Sequence, residues 1–197
     1  MFLTLAPRES ICLACKTKPC CSYYTVTLTG RDVWRIVRAM HLQPADFLRL
    51  YETPDAAPGR FLLAARGAYN TLILAKRPLP PPLPAPCVFL VRTNDSHARC
   101  GLGDLRPVRC QTFPVTLEGD RVGLINDPEG CVRTWFLDEI DVREERGRLG
   151  EALSEEAEYH AIVDAWNRRV LEGDRAWSFP EYCAYLLNRY AALEEER

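Results

Sequence analysis

The chemistry available to this chain of 197 residues depends on its nine cysteines. The densest group begins at Cys12 and ends with an adjacent pair, in the order Cys12-Leu-Ala-Cys15-Lys-Thr-Lys-Pro-Cys20-Cys21. Two cysteines separated by two residues can bind one ion from a tight turn whose backbone amides point at the sulfurs. A redox-active Cys-x-x-Cys motif usually opens a helix in a βαβ unit, and no such setting is predicted here. We therefore predict that all four cysteines of this group are metal ligands.

Four cysteines further along the chain extend the predicted ligand set. They are Cys87, Cys100, Cys110 and Cys131. Each lies close to a proline or glycine that forms turns, and turns leave backbone amides free to donate hydrogen bonds to thiolates. Taken singly, each could be a buried structural cysteine, but the repeated turn context favours ligation. Cys183 differs, because it lies in line with Leu186 and Tyr190 on the apolar side of a predicted helix, and we interpret it as a core thiol.

An all-thiolate ligand set narrows the choice of metal. It excludes magnesium and calcium and leaves zinc or an iron–sulfur cluster, between which ligand identity does not decide. Eight thiols could form two four-cysteine sites, one cluster with spare thiols, or a binuclear site with shared sulfurs. Cys20 and Cys21 would point apart in an extended segment and serve different sites, whereas a tight turn could aim both at one ion. The sequence leaves these alternatives open.

Charged residues close to the cysteines in sequence suggest how thiolate charge could be offset. They are Lys16, Lys18, Arg99, Arg106 and Arg109. Nearby cations favour the thiolate form. The alternative is that these side chains are ordinary solvated surface cations.

Composition and the first residues of the chain bear on location and partners. The net charge is -2 and the pI is near 6.0, which disfavours nucleic-acid binding through zinc knuckles. The opening apolar run stops at Pro7, unlike a secretory signal, and no stretch approaches the roughly 20 apolar residues of a membrane span. We therefore expect a cytoplasmic protein whose reduced thiols bind metal rather than form disulfides. A protein partner and the oligomeric state are left open.

The elements that would position these thiols predict an α+β fold. We expect a small irregular, β-containing, cysteine-rich metal core with flanking helices and a helical C-terminal third. The corresponding division is a cysteine-cluster metal-binding domain over residues 1–131 and a helical extension over residues 132–197 packed on it. Predicted strands span residues 23–29, 61–65, 69–75 and 87–91, with a hairpin over 114–117 and 122–125.

Predicted helices follow from capping residues and apolar periodicity. Thr29 caps a helix over residues 30–41, and Pro44 starts a second one that continues through Tyr51. Residues 135–172 are helical in period, with a predicted break near Gly147 and Gly150. A capping box at Ser178 begins a last helix that ends near residue 194. The prolines of residues 78–86 predict an extended spacer between cysteine segments.

The order of these cysteines resembles that of a known family. The features that carry the resemblance are the Cys-x-x-Cys, the adjacent cysteine pair, Arg106-Pro107-x-x-Cys110, Phe113-Pro114 and the final Cys131. Together they resemble the YkgJ-type cysteine-cluster family, described as a zinc- or iron-chelating domain with a CxxCxxCC signature. The resemblance covers residues 12–131. It implies metal chelation through the eight cysteines.

The resemblance leaves the biochemical activity undecided. Four residues separate Cys15 from the adjacent pair, and Gln111 stands where the family often has arginine. Some relatives carry the domain beside a protein methylation activity on flagellin lysines. The alternative hypothesis is therefore an iron–sulfur redox or accessory component of a protein-modifying, methylation-type enzyme. The sequence contains no recognisable Ser-His-Asp set or HExxH motif, so catalysis by this chain itself stays undecided.

Overall fold

Two groups of chain segments form separate compact units in the computed structural model, which describes Cys15 and residues 18–80, 82–94 and 97–196. The cysteine unit contains the described residues up to Thr25 together with Lys76–Ala152. The aromatic unit contains Val26–Ala75 and the described residues from Leu153 onward. The division into domains at residues 1–131 and 132–197 stays a prediction.

Short antiparallel sheets and helices confirm the α+β fold, including its helical C-terminal region. The first described elements are α1 (Cys20–Tyr23), α2 (Gly30–Met40), α3 (Pro44–Phe47), β1 (Leu48–Thr53), β2 (Phe61–Leu62) and β3 (Tyr69–Leu74). The chain continues with β4 (Leu90–Asn94), β5 (His97–Cys100), α4 (Val108–Thr112), β6 (Val115–Glu118), β7 (Arg121–Leu124), α5 (Val142–Glu172) and α6 (Phe179–Glu195). None of the helices within the described ranges is both long and apolar enough to cross a membrane.

Helix α2 forms because its first turn satisfies its own backbone donors. The Thr29 hydroxyl accepts a hydrogen bond from the Asp32 amide at 3.2 Å, and the Asp32 carboxylate accepts one from the Thr29 amide at 2.9 Å. Thr29 is confirmed as the cap, and Asp32 completes a capping box with it. Val33 and Ile36 then turn a fully buried face to the core of the aromatic unit. The helix ends where His41 adopts a left-handed conformation, with a φ of 55°.

The sheet of the aromatic unit corrects the predicted second helix. Helix α3 ends at Phe47, and Leu48–Thr53 instead forms β1, which pairs antiparallel with β3 along its whole length. Strand order is β1-β3-β2. Proline at the start of α3 is a local signal that does not set the helix length, and pairing with β3 decides the conformation beyond Phe47.

Other predicted strands are shorter than expected or displaced. The predicted strand over 23–29 is wrong as a regular strand, because Tyr23 ends α1 and only Thr27 forms an isolated bridge, to Ile73. The strand predicted at 87–91 begins at Leu90, and Cys87 forms an isolated bridge with Lys76. The hairpin over 114–125 is confirmed by the antiparallel pairing of β6 and β7.

Helix α5 is continuous where a break was predicted. It runs from Val142 to Glu172 through both Gly147 and Gly150, while residues 135–141 contain only a 3-10 turn. A glycine in a helix interior costs about 1 kcal/mol relative to alanine, and packing of neighbouring residues offsets that cost. Leu149 supplies such packing, because it is buried with Val115, Val122 and Ile140 in the cysteine unit.

Aromatic side chains fill the core of the aromatic unit. The rings of Phe61 and Tyr182 stack with centroids 3.6 Å apart. The indole nitrogen of Trp166 donates a hydrogen bond to the Leu62 carbonyl at 2.6 Å. Arg31, whose side chain is almost fully buried, donates to both carboxylate oxygens of Glu158 at 3.0 and 3.1 Å and also pairs with Glu194. These contacts join β2, α2, α5 and α6.

We expect Gly30→Ala to lower the free energy of unfolding by about 1–3 kcal/mol, because overpacking displaces buried side chains. A Cβ at Gly30 would lie 2.8 Å from Leu186 Cδ1 and closer still to the buried ring of Tyr190. The matched control is Gly147→Ala, where no atom lies within 4 Å of the added Cβ. This control should raise stability by about 0.5–1 kcal/mol through helix propensity. Urea unfolding followed by circular dichroism measures the stability of both variants. An equal change in the free energy of unfolding for Gly30→Ala and Gly147→Ala would contradict the packing account.

Candidate metal centre

The first cysteines of the candidate centre lie on a single helical turn. Helix α1 starts after Pro19, and the Cys21 amide donates a hydrogen bond to the Lys18 carbonyl at 3.0 Å. The Tyr24 amide closes the turn on the Cys20 carbonyl at 3.2 Å. Cys20 and Cys21 are therefore held on a tight turn and not in an extended segment, and both are half-buried.

Hydrogen bonding between these two thiols sets their ionisation. The hydrogen bond from the Cys21 thiol to the Cys20 sulfur lowers the pKa of Cys20 to about 7, and the charge of Lys18 contributes to this. The same hydrogen bond raises the pKa of Cys21, which burial and the sulfurs of Cys100 and Cys110 raise further. The pair therefore loses its first proton readily. Loss of the second proton is strongly unfavourable unless a cation is bound.

Cys87 is joined to this turn through the backbone. Its amide donates a hydrogen bond to the Cys21 carbonyl at 2.6 Å, and it forms an antiparallel bridge with Lys76. Burial raises the pKa of the Cys87 thiol, while the Phe89 amide and the charges of Lys76 and Arg77 favour the thiolate. Such amide donors are what a metal-bound thiolate requires.

Cys100 and Cys110 approach from two further elements. Cys100 ends β5 and lies opposite Leu90 of β4, so the hairpin determines its position. Cys110 lies in helix α4, which begins directly after Pro107, and its amide donates to the Pro107 carbonyl at 2.8 Å. Cys100 is close enough to influence electrostatically both Cys21 and Cys87.

Cys131 follows a turn that packs on Tyr24. Its amide donates a hydrogen bond to the Asp127 carbonyl at 2.8 Å. Gly130 lies against the Tyr24 ring so closely that any side chain there would overlap it. Burial raises the pKa of Tyr24 to about 12, with further contributions from Asp127, Cys131 and Cys20. Tyr24 therefore lies near Cys20, which belongs to the first group of cysteines, and near Cys131, the last predicted ligand.

The structure therefore brings most of the described predicted ligands into one region of the cysteine unit. These are Cys20, Cys21, Cys87, Cys100, Cys110 and Cys131. Cys15 is half-buried, and no hydrogen bond links it to another described cysteine. Cys12 lies outside the described residues. Within the described ranges, no three histidine, cysteine, aspartate or glutamate side chains are grouped so as to hold a metal ion.

The donor set fits a thiophilic metal. All eight described cysteines are free thiols, and the six gathered ones are half-buried. Lys18 lies near Cys20, and the Phe89 amide, Lys76 and Arg77 lie near Cys87. Soft thiolates in such surroundings suit zinc or an iron–sulfur cluster. Cys183 does not belong to the set, because it is buried in the aromatic unit, where burial raises its pKa to about 12. This confirms its interpretation as a core thiol.

Two cations near the cysteines were missed at the level of sequence. Lys76 and Arg77 both favour the Cys87 thiolate, although the proline-rich segment separates them from Cys87 along the chain. Of the expected cations, Lys18 acts on Cys20, Arg106 donates to the Gly103 carbonyl, and Lys16 lies outside the described residues. The antiparallel bridge between Lys76 and Cys87, which the sequence does not indicate, brings these two cations close to the cysteine.

Comparisons with protein-family models, with curated proteins and with solved structures give no match. The resemblance to the YkgJ-type family depends on the order of the cysteines and stays a prediction.

We expect iodoacetamide to alkylate Cys20 of the metal-free protein faster than Cys87 at pH 7. The two thiols are both half-buried, but Cys20 is about half ionised at its pKa of about 7, whereas the pKa of Cys87 is raised. The lower nucleophilicity of a low-pKa thiolate reduces the advantage to about fivefold. Tandem mass spectrometry of timed samples measures both sites. The rate at Cys20 should level off above about pH 8 while that at Cys87 still rises, and coincident pH profiles would contradict this assignment.

Proposed function

We propose that this protein is a metal-chelating cysteine-cluster protein that binds zinc or an iron–sulfur cluster. The proposed ligands are Cys12, Cys15, Cys20, Cys21, Cys87, Cys100, Cys110 and Cys131. The observation that most directly supports the proposal is the proximity of thiols from separate segments. Cys100 and Cys110 raise the pKa of Cys21, and the Cys87 amide is hydrogen-bonded to the Cys21 carbonyl.

Electrostatics explains why such a group of thiols favours a metal. Each thiolate makes the next one harder to form, as the raised pKa of Cys21 illustrates. A bound cation reverses this effect and deprotonates its ligands, so that its binding energy also stabilises the fold. Hydrophobic packing alone explains the gathered cysteines less well, because they are half-buried, whereas Cys183, which packs in a core, is buried.

The location and partners of the protein follow from the same chemistry. Free thiols persist in the reducing cytosol, and every described cysteine is free, which supports a cytoplasmic protein. We expect neither nucleic acid nor a membrane as a partner. The alternative, an iron–sulfur redox or accessory component of a methylation-type enzyme, differs from a structural zinc protein first of all in its metal.

Metal analysis with a visible absorption spectrum tests the proposal. The full chain should be purified without oxygen and without a histidine tag. We expect bound zinc with no colour, or iron with acid-labile sulfide and a broad visible band. Zinc would assign the centre a structural role, and iron would favour the redox alternative. Absence of both metals, with paired thiols, would contradict the proposal.

We expect Cys21→Ser and Cys100→Ser to lower the metal content and the stability of the purified protein, because each removes a proposed thiolate ligand. Cys183→Ala is the matched control, since it removes a cysteine that lies in the aromatic unit. This control should destabilise the fold by about 1–2 kcal/mol and leave metal content unchanged. Elemental analysis and thermal unfolding measure both quantities. Unchanged metal content in both ligand variants would remove these residues from the site.

A further inference from the structure

The side chain of Lys76 holds the helical turn that carries the first cysteines. Its ammonium Nζ donates a hydrogen bond to the Ser22 carbonyl at 2.7 Å and lies 3.4 Å from the Tyr23 carbonyl. Ser22 and Tyr23 are the last two residues of α1, directly after Cys20 and Cys21. Lys76 thereby satisfies carbonyl groups that a helix end leaves without partners.

The backbone of the same segment holds Cys87. Lys76 and Cys87 form an antiparallel bridge, and the Arg77 amide donates to the Pro86 carbonyl at 2.8 Å. These contacts join the two ends of the proline-rich segment, residues 78–86. The position of Cys87 relative to Lys76 is therefore determined by backbone pairing.

The side chain of Arg77 contacts the β4–β5 hairpin, whose second strand ends at Cys100. Its guanidinium donates to the Leu90 carbonyl at 2.5 Å. Leu90 begins β4 and lies opposite Cys100 in the register of the hairpin. Two consecutive residues thus contact the turn of Cys20 and Cys21, the backbone beside Cys87, and the strand that pairs with the one carrying Cys100.

No carboxylate in the described part of the chain neutralises the charge of Lys76 or Arg77. Neither residue forms an ion pair with aspartate or glutamate among the residues that the structure describes. The Lys76 side chain is half-buried, and a partly desolvated ammonium is unfavourable without a nearby anion. Thiolates are the anions that the surrounding segments can supply.

We propose that Lys76 and Arg77 form a cationic clamp that positions three cysteine-bearing segments and offsets their thiolate charge in the metal-bound protein. The proposal depends on the proposed metal-binding function. Lys76 and Arg77 are positioning residues in it, because they act through the ligands and do not bind the metal. Loss of comparable outer-shell partners lowers metal affinity about 10–100-fold.

Competition between the full-length protein and a chromophoric chelator for added Zn²⁺ tests the clamp. Lys76→Met keeps the length of the side chain but removes its charge and donors, so we expect zinc binding to weaken about 10–100-fold. Lys76→Arg restores a cationic donor and should recover most of the affinity. Arg92→Met is the matched control, because Arg92 is an exposed cation on β4, and it should bind zinc as tightly as the wild type.

Stability of the metal-free proteins separates this role from a merely structural one. A structural role alone predicts that Lys76→Met destabilises the metal-free and zinc-bound forms equally, with unchanged zinc affinity, and that result would overturn the clamp. The clamp is supported if Lys76→Met lowers the stability of the zinc-bound form more than that of the metal-free form, and if Lys76→Arg restores this stability. If the wild-type protein contains neither zinc nor iron as purified and also fails to bind added Zn²⁺, the proposed function fails and the clamp with it. If the wild type binds and Lys76→Met binds equally well, only the clamp is wrong.

Discussion

The hydrogen bond from the Cys87 amide to the Cys21 carbonyl joins two segments that are far apart in the chain, and the candidate centre depends on this connection. It brings the cysteine that follows the proline-rich segment to the helical turn of Cys20 and Cys21. The hairpin β4–β5 then starts three residues after Cys87 and returns Cys100 to the same region. That connection places Cys87 and the hairpin that follows it beside the turn of Cys20 and Cys21.

Bringing thiols together has an electrostatic consequence that the surrounding residues moderate. The raised pKa of Cys21 reflects its hydrogen bond to Cys20, then burial and neighbouring sulfurs, while the lowered pKa of Cys20 reflects the same hydrogen bond and the charge of Lys18. Cys20 of the cysteine unit therefore ionises readily, whereas the raised pKa values of Cys21 and Cys87 oppose their ionisation. This imbalance suits a site completed by a metal, whose charge would act on all of the thiolates together.

The aromatic unit provides stability through different interactions. Its core depends on stacked rings and on the ion pair in which Arg31 Nη2 contacts both carboxylate oxygens of Glu158, not on cysteine chemistry. Desolvation of both charges opposes the attraction within a buried ion pair, whereas removal of one partner leaves a buried charge uncompensated and is strongly destabilising. Cys183 belongs to this environment and packs as a small apolar side chain.

Local signals in the sequence were sufficient for several elements. The capping boxes at Thr29 and Ser178, the hairpin at β6–β7 and the buried position of Cys183 all follow from residues close together in the chain. Each depends on short-range hydrogen bonds or on the periodicity of one helix, and both can be recognised in the local sequence. Cysteine spacing also gives the candidate ligands, and their role stays a prediction.

Only the tertiary structure decided which of these signals would prevail and which side chains would meet. Leu48–Thr53 became a strand because β3 pairs with it, although Pro44 favoured a longer helix. Packing around Leu149 kept α5 continuous through two glycines. Lys76 and Arg77 joined the cysteines through a bridge across the proline-rich segment. The physical reason is common to all three cases: contacts between distant segments can outweigh local preferences of about 1 kcal/mol, and the order of residues does not reveal which distant segments will meet.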